Sequence, residues 1–305
     1  MVKLPNDIHV VERGWLSANQ VFHKGNGRLD IVDSGFYSHI PQTISLVKHQ
    51  LSTDNNLKPE KLINTHLHSD HCGGNTALAN EFGFEIYIPS SQLDSVRNWD
   101  EDKLSYKELG QHCPSFKPDH PLEPNETIAL GSREWKILGA PGHDPHSIML
   151  FDKDSGILIS ADALWEKGFG ALFPELAGEG GFEEARACLD LIKEIQPSIV
   201  IPGHGKPFTE VNPALDYAYS RLDYLESDIE RNALHVAKVL FKFKMLELQT
   251  TQRDQLFDWM KQTPMLSKVQ LTLQLSESEL FDKTINALIK AQALKAEGGL
   301  LIDFD

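Results

Sequence analysis

Thr65-His66-Leu67-His68-Ser69-Asp70-His71-Cys72-Gly73-Gly74-Asn75 sets three histidines and a carboxylate within residues 66–71. The preceding Lys61-Leu62-Ile63-Asn64-Thr65 reads as the end of a buried strand, and a helix is predicted from Asn75 to Asn80. The polar cluster therefore sits on a loop leaving the C-terminal end of a strand, where α/β sheets build their sites. Side chains alternate along extended backbone, so His66 and His68 point the same way and can grip one ion. Asp70 and His71 lie past the bend and can face a second ion. Imidazole and carboxylate are both zinc ligands. The bland alternative, a surface loop that happens to be rich in histidine, does not explain this spacing.

Further ligands must come from elsewhere, and three segments offer them. Glu134-Trp135-Lys136-Ile137-Leu138 runs to Ala140-Pro141-Gly142-His143; Ile157-Leu158-Ile159-Ser160-Ala161 runs to Asp162; Ser198-Ile199-Val200-Ile201-Pro202-Gly203 runs to His204. Each is a strand-like run that ends on a metal-ligand type, and glycines beside the two histidines allow close backbone approach. With Asp33 in Ile31-Val32-Asp33-Ser34-Gly35, these motifs strongly resemble the metallo-β-lactamase superfamily, glyoxalase-II-like branch, over about the first 210 residues. The resemblance implies a four-layered αββα sandwich. It implies His66, His68 and His143 on one metal, Asp70, His71 and His204 on the other, and Asp162 bridging them. It implies that Asp33 holds the metal loop from beneath. Two places depart from the family's pattern: Asp144 and His146 stand where Thr and Gly are usual, and Ala161 stands for Gly. His146 reads as a rim residue.

The 305 residues are 41% hydrophobic and 24% charged, an ordinary globular balance. No uninterrupted apolar stretch of about 18 residues exists, so no membrane contact is expected. The stretch Met1-Val2-Lys3-Leu4-Pro5-Asn6-Asp7 lacks the apolar core of a secretory signal. Cys72, Cys113 and Cys188 are too few for a disulfide framework, so a cytoplasmic location is expected. Cys72 reads as a buried thiol beside the site.

Strands are predicted at Ile8–Val11, Asn19–His23, Arg28–Val32 and Glu85–Ile88, with four more in residues 126–160 and one at Ile199–Ile201. Helices are predicted over 39–51 and Glu183–Ile195. This order describes two mixed sheets with helices outside. Residues 89–120 are expected to lie over the site. The insert after Asp162 holds Trp165, Phe169 and Phe173, which either wall a substrate pocket with His146 or plug the loop onto the core. From residue 213 the character changes, giving a catalytic domain over 1–212 and a smaller, mainly helical domain over 213–305. Helices at Tyr217–Met245, Asp254–Lys261 and Ser278–Ala291, then a Gly-Gly hairpin over 293–303, resemble a winged helix. Residues 229–305 carry ten basic and ten acidic side chains, so the whole net charge of −15 falls on the remainder. That balance argues against a nucleic-acid partner. Lys238, Lys242 and Lys244 read as a solvated face.

The resulting expectation is an enzyme: a zinc-dependent hydrolase of an ester, thioester or lactone. Two zinc ions per chain would acidify a shared water towards pKa ~7, with iron or manganese as alternatives. Asp70 would orient that water and take its proton. The rival readings are an endoribonuclease or phosphodiesterase on the same site, and a mononuclear iron sulfur dioxygenase. The substrate is a small molecule, and a homodimer formed through the C-terminal region is expected.

Overall fold

The computed structural model of the protein describes residues 2–304. Met1 and Asp305, the outer ends of the two expected domains, lie outside them. One sheet has strands β1 (Ile8–Val11), β2 (Gln20–Gly25), β3 (Arg28–Val32), β4 (Lys58–Ile63), β5 (Glu85–Pro89) and β6 (His120–Leu122) in that spatial order. Pairing is antiparallel from β1 to β3 and parallel from β3 to β6. The second sheet contains β7 (Thr127–Leu130), β8 (Arg133–Gly139), β9 (Ile148–Asp152), β10 (Ile157–Ala161) and β11 (Ile199–Pro202), ordered β11-β10-β9-β8-β7. Only its β10–β11 pair is parallel.

Period-two alternation decides what each apolar side chain meets. Val21, Val32 and Ile63 of the first sheet join Ile137, Leu150 and Ile159 of the second in one buried cluster between the sheets. Their neighbours Phe22, Ile31 and Leu62 point the other way. They pack with Val47 of α1 (Ile40–Ser52) and, beyond the short α2 (Ser69–Cys72), Leu78 of α3 (Asn75–Phe82). α4 (Leu93–Asn98) adds Val96 to this layer. After α5 (Phe173–Ala177) come α6 (Phe182–Ile195) and α7 (Val211–Glu226), which cover the second sheet. Leu189 and Ile192 of α6 and Leu215 and Leu222 of α7 join Leu138, Met149 and Leu158 there. Each fully buried aliphatic or aromatic side chain contributes about 1.5–3 kcal/mol. The layers run helix, sheet, sheet, helix, as the motifs implied.

The C-terminal part is α8 (Ile229–Leu248), β12 (Thr250–Gln252), α9 (Arg253–Lys261), α10 (Pro264–Leu273), α11 (Glu277–Lys290), β13 (Leu294–Glu297) and β14 (Leu300–Asp303). The single helix expected over Tyr217–Met245 is two. Asp228 breaks it by taking extended backbone and accepting a hydrogen bond from the Glu230 N–H, which caps α8. α10 was not expected; Pro264 in its first turn supplies the start. The hairpin turns at Gly298 and Gly299, with φ of 57° and 86°, and β12 adds a third strand against β14. The expected boundary at 213 falls inside α7, whose buried face belongs to the sandwich. We propose Ser227-Asp228 as the boundary instead.

One core of the C-terminal part reaches back to the sandwich. Val236, Leu240 and Phe241 of α8 share a buried cluster with Phe173 and with Leu109 from residues 89–120. That segment is clamped rather than loose: Trp259 donates to the Gly110 carbonyl at 3.1 Å and Lys268 pairs with Glu108 at 2.8 Å.

Candidate metal centre

Every residue of the cluster leaves the C-terminal end of a strand. Asp33 follows β3, His66 and His68 follow β4, and Asp70 and His71 sit in α2. His143 follows β8, Asp162 follows β10 and His204 follows β11. Asn19 fastens the last loop by donating to the carbonyls of Pro202 and Gly205. The close approach expected of the glycines is real at Gly203, where a Cβ would strike the Asp162 carboxylate.

Seven side chains converge. His68 Nδ1 lies 3.1 Å from His66 Nε2 and 2.8 Å from His143 Nε2. His204 Nε2 is 3.1 Å from Asp70 Oδ2, and His71 Nε2 is 3.7 Å from the same oxygen. Asp162 Oδ2 faces both groups, 3.4 Å from His143, 3.6 Å from His71 and 3.9 Å from His204. The groups His66-His68-His143, His66-His71-Asp162 and Asp70-His71-His204 each bring their ligand atoms within 4.8 Å of one another, so each could hold an ion.

The outer nitrogens identify what the inner ones are for. His143 Nδ1 donates to the Ala171 carbonyl at 2.6 Å, His71 Nδ1 to Asp33 at 2.8 Å and His204 Nδ1 to the Gly14 carbonyl at 3.1 Å. His66 Nδ1 meets the Thr65 hydroxyl at 3.3 Å, and His68 Nε2 faces the buried Asp144 carboxyl at 3.7 Å. Asp33 also accepts from the Thr65 N–H and hydroxyl, each at 2.9 Å. In their neutral forms this network assigns the hydrogens of His66, His71, His143 and His204 to the outer nitrogens, which turns their remaining lone pairs inward; His68 Nε2 makes no hydrogen bond at 3.7 Å. Three ring nitrogens this close must share either a proton on His68 Nδ1 or a cation among them. The buried His71 Nε2 likewise has no hydrogen-bond partner.

Electrostatics sort the five imidazoles. Burial, then the neighbouring imidazoles, holds His66 far below the usual histidine range; burial also takes His68 and His143 to about 4. These three are neutral, as ligands must be. For His71 and His204 burial also pulls down, but the carboxylates around them outweigh it and raise both. Burial pushes Asp162 up, yet His204 and His71 hold it well below the carboxylate range.

A cavity of about 340 Å³ opens from this centre. Trp15, Trp165 and Phe173 line it near the ligands, and α8 forms the opposite wall through Val239, Phe243 and Leu246. Trp15 stacks on His204 with centroids 5.4 Å apart, and Trp165 donates to Asp162 Oδ1 at 3.1 Å. A second, polar groove of about 610 Å³ opens on the other side of Phe173. His146 sits on that groove, with Nδ1 2.9 Å from the Ser91 hydroxyl, and joins none of the three ligand groups.

The pocket residues divide. Trp165 and Phe173 line the cavity. Phe169 does not; it belongs to the buried cluster with Leu172 and Leu215 and touches the centre only through a crevice of about 10 Å³. Cys72 is a free buried thiol, 3.2 Å from the Tyr106 hydroxyl and 3.6 Å from Cys113 Sγ. Trp15, Gln111 and the α8 wall were not anticipated. The row His235, Lys238, Val239, Lys242, Phe243, Leu246 follows helical spacing and was visible, but such stripes more often pack into cores. Nor are the three lysines one solvated face. Lys238 and Lys242 line the cavity, Lys242 bonds Asp303 at 2.8 Å, and Lys244 bonds Glu247 at 2.8 Å.

Residues 13–204 match the sequence profile of the metallo-beta-lactamase superfamily. That is well over half of the chain, and the protein belongs to this superfamily. It is 26% identical over 223 residues to acyl-coenzyme A thioesterase MBLAC2 of Bos taurus, covering 65% of this chain and 78% of that one. It is 26% identical over 154 residues to hydroxyacylglutathione hydrolase of Chelativorans sp. strain BNC1, covering 50% and 51%. A beta-lactamase domain protein from Burkholderia ambifaria superposes with a TM-score of 0.64 at 16% identity over 100% of this chain and 94% of that one, a likeness of fold. Among the described residues no helix is long and apolar enough to cross a membrane.

Proposed function

We propose that this protein is a hydrolase of thioesters or related esters that works with two divalent ions, zinc being the best match to the donor set. The observation that carries the reading is the inward convergence of five imidazoles and two carboxylates whose outer atoms are already committed. His66, His68 and His143 would hold one ion. Asp70, His71 and His204 would hold the other, with Asp162 between them. When bound, such ions polarise a carbonyl oxygen and lower the pKa of water.

The chain's own residues do the rest. Asp70, beside His204 on the same proposed ion, orients the attacking water and accepts its proton. Asp33 and Asp144 keep His71 and His68 turned inward. Trp15 and Trp165 cover His204 and Asp162 and exclude bulk water. The apolar cavity takes one limb of the substrate and the polar groove the other, with Phe173 as the wall they share. Two relatives named for thioester hydrolysis support this choice of bond. The β12-β14-β13 sheet with helices α8 to α11 would make a winged-helix-like unit, and α8 of that unit lends its apolar row to a small-molecule cavity.

The test is metal analysis of the purified protein, followed by a screen of thioesters, lactones and phosphodiesters. About two ions per chain and thioester turnover lost to chelators are expected. Metal-free protein with full turnover, or turnover of phosphodiesters alone, would overturn the reading.

A further inference from the structure

Residues 12–19 link β1 to β2 and back the centre from one side. The Gly14 carbonyl accepts from His204 Nδ1, and Trp15 stacks on the same ring. The Ala18 N–H donates to the Asp70 carbonyl at 2.9 Å, and the Asn19 N–H to the Gly203 carbonyl at 2.7 Å. Two side chains assigned to one ion, Asp70 and His204, thus lean on a single short loop.

That loop is tied to the sandwich by a residue the proposed chemistry does not use. Arg13 Nη1 donates to Gln20 Oε1 at 2.6 Å and to Thr43 Oγ1 at 3.0 Å, and Nη2 donates to Gln42 Oε1 at 3.2 Å. The Thr43 hydroxyl donates in turn to the Ser34 carbonyl at 3.3 Å, and the Ser34 N–H donates to the His71 carbonyl at 2.7 Å. The third side chain assigned to that ion is therefore reached from the same guanidinium. The outer contacts of His66, His68 and His143 lie on other segments, at Thr65, Asp144 and Ala171.

Arg13 is 8% exposed, and among the described residues no other lysine or arginine is buried. Each of its hydrogen bonds ends on a neutral oxygen, Nε has no partner, and burial pulls the group down to about 10. A cation in such a place costs stability, and an apolar side chain could fill the space without that cost. What only arginine supplies here is a planar fork that grips β2 and α1 at once.

We propose that Arg13 is a positioning residue for the ion assigned to Asp70, His71 and His204: it fixes the 12–19 loop and the Thr43–Ser34 path together and so aims these three ligands. The His66-His68-His143 group is independent of it. This rests on the two-ion reading. The two ions are then unequal, because only one ligand set answers to an anchor near the start of the first sheet.

The experiment is zinc competition against a chromophoric chelator, on the full chain, for the parent, Arg13→Met, Thr43→Val and His204→Ala. The step lost in His204→Ala marks the ion concerned. Arg13→Met should weaken that step about tenfold, the scale seen when contacts behind a ligand are removed, and leave the other step at parental affinity. Thr43→Val keeps the shape but cuts the path to Ser34, and should weaken the same step less. In the metal-free proteins the His204 Nδ1–H resonance, assigned by its absence from His204→Ala, should shift in Arg13→Met. A parent with a single step would sink the two-ion reading, and the resonance alone then decides on Arg13. Equal weakening of both steps, parental steps in a folded Arg13→Met, or an unmoved resonance would overturn the proposal. If Arg13→Met does not fold, Thr43→Val decides by the same criteria.

Discussion

Gly170 touches no ion, yet Gly170→Ala should dismantle part of the centre. A Cβ built there falls 2.6 Å from His143 Cγ and 2.8 Å from His143 Cε1. Ordinary carbon contacts begin near 3.5 Å, so the ring must retreat by about 1 Å. It has little room to do so, because Nδ1 is tied to the Ala171 carbonyl at 2.6 Å, one residue from the new methyl. Ligand distances in a metal site tolerate only about 0.2 Å. Overpacking of this kind costs about 1–3 kcal/mol. If that cost falls on the bound state, affinity for the ion nearest His143 drops by about five- to 150-fold. The assay is competition for zinc against a chromophoric chelator, read as two binding steps, alongside urea unfolding of both metal-free proteins. One step should weaken while the other holds. Two steps of parental affinity in a folded variant would refute the placement of His143 at the centre.

Phe173→Ala should raise KM most for long acyl chains, by about 1–3 kcal/mol in binding, with metal content intact. Phe169→Ala should instead cost about 3–5 kcal/mol of stability with little dependence on chain length; steady-state kinetics and denaturant midpoints separate the two. His23 is buried, both ring nitrogens lack partners, and burial holds it down to about 3. The unfolded chain therefore binds this proton first, and stability from this group is lost as pH falls below about 6.5, by about 1.4 kcal/mol per unit until about 3. His23→Phe should flatten the acid limb of a urea-midpoint profile between about pH 7 and about pH 4.5, and an unchanged difference from the parent would contradict the neutral assignment.

The sandwich and the convergence at its strand ends were legible because both follow from short-range rules. Alternation in Ile157-Leu158-Ile159 decides which layer each residue joins, and a ligand type placed after each strand decides the rest. What escaped depends on contacts between distant segments. Phe169 and Phe173 look alike in sequence; only the path of the loop sends one to the core and the other to the cavity. Trp15 stands alone on a loop and belongs to no periodic pattern. The break at Asp228 was readable as a cap, but the apolar spacing continued across it and won. The α8 row shows the reverse failure: its periodicity was plain, yet nothing local says that the surface opposite is partly empty.

The placement of α8 has a consequence for how such an enzyme changes. The proposed ligands all lie between residues 66 and 204, whereas one wall of the cavity is a single row on residues 235–246. The proposed reactive centre and one of the cavity's walls are thus written in separate stretches of the chain, while Trp165 and Phe173 form a wall within the ligand-bearing stretch. Replacements along that row can exchange chain length, bulk or charge preference while every imidazole keeps its partner. A library confined to six helix positions would sample new substrates on a constant reactive centre.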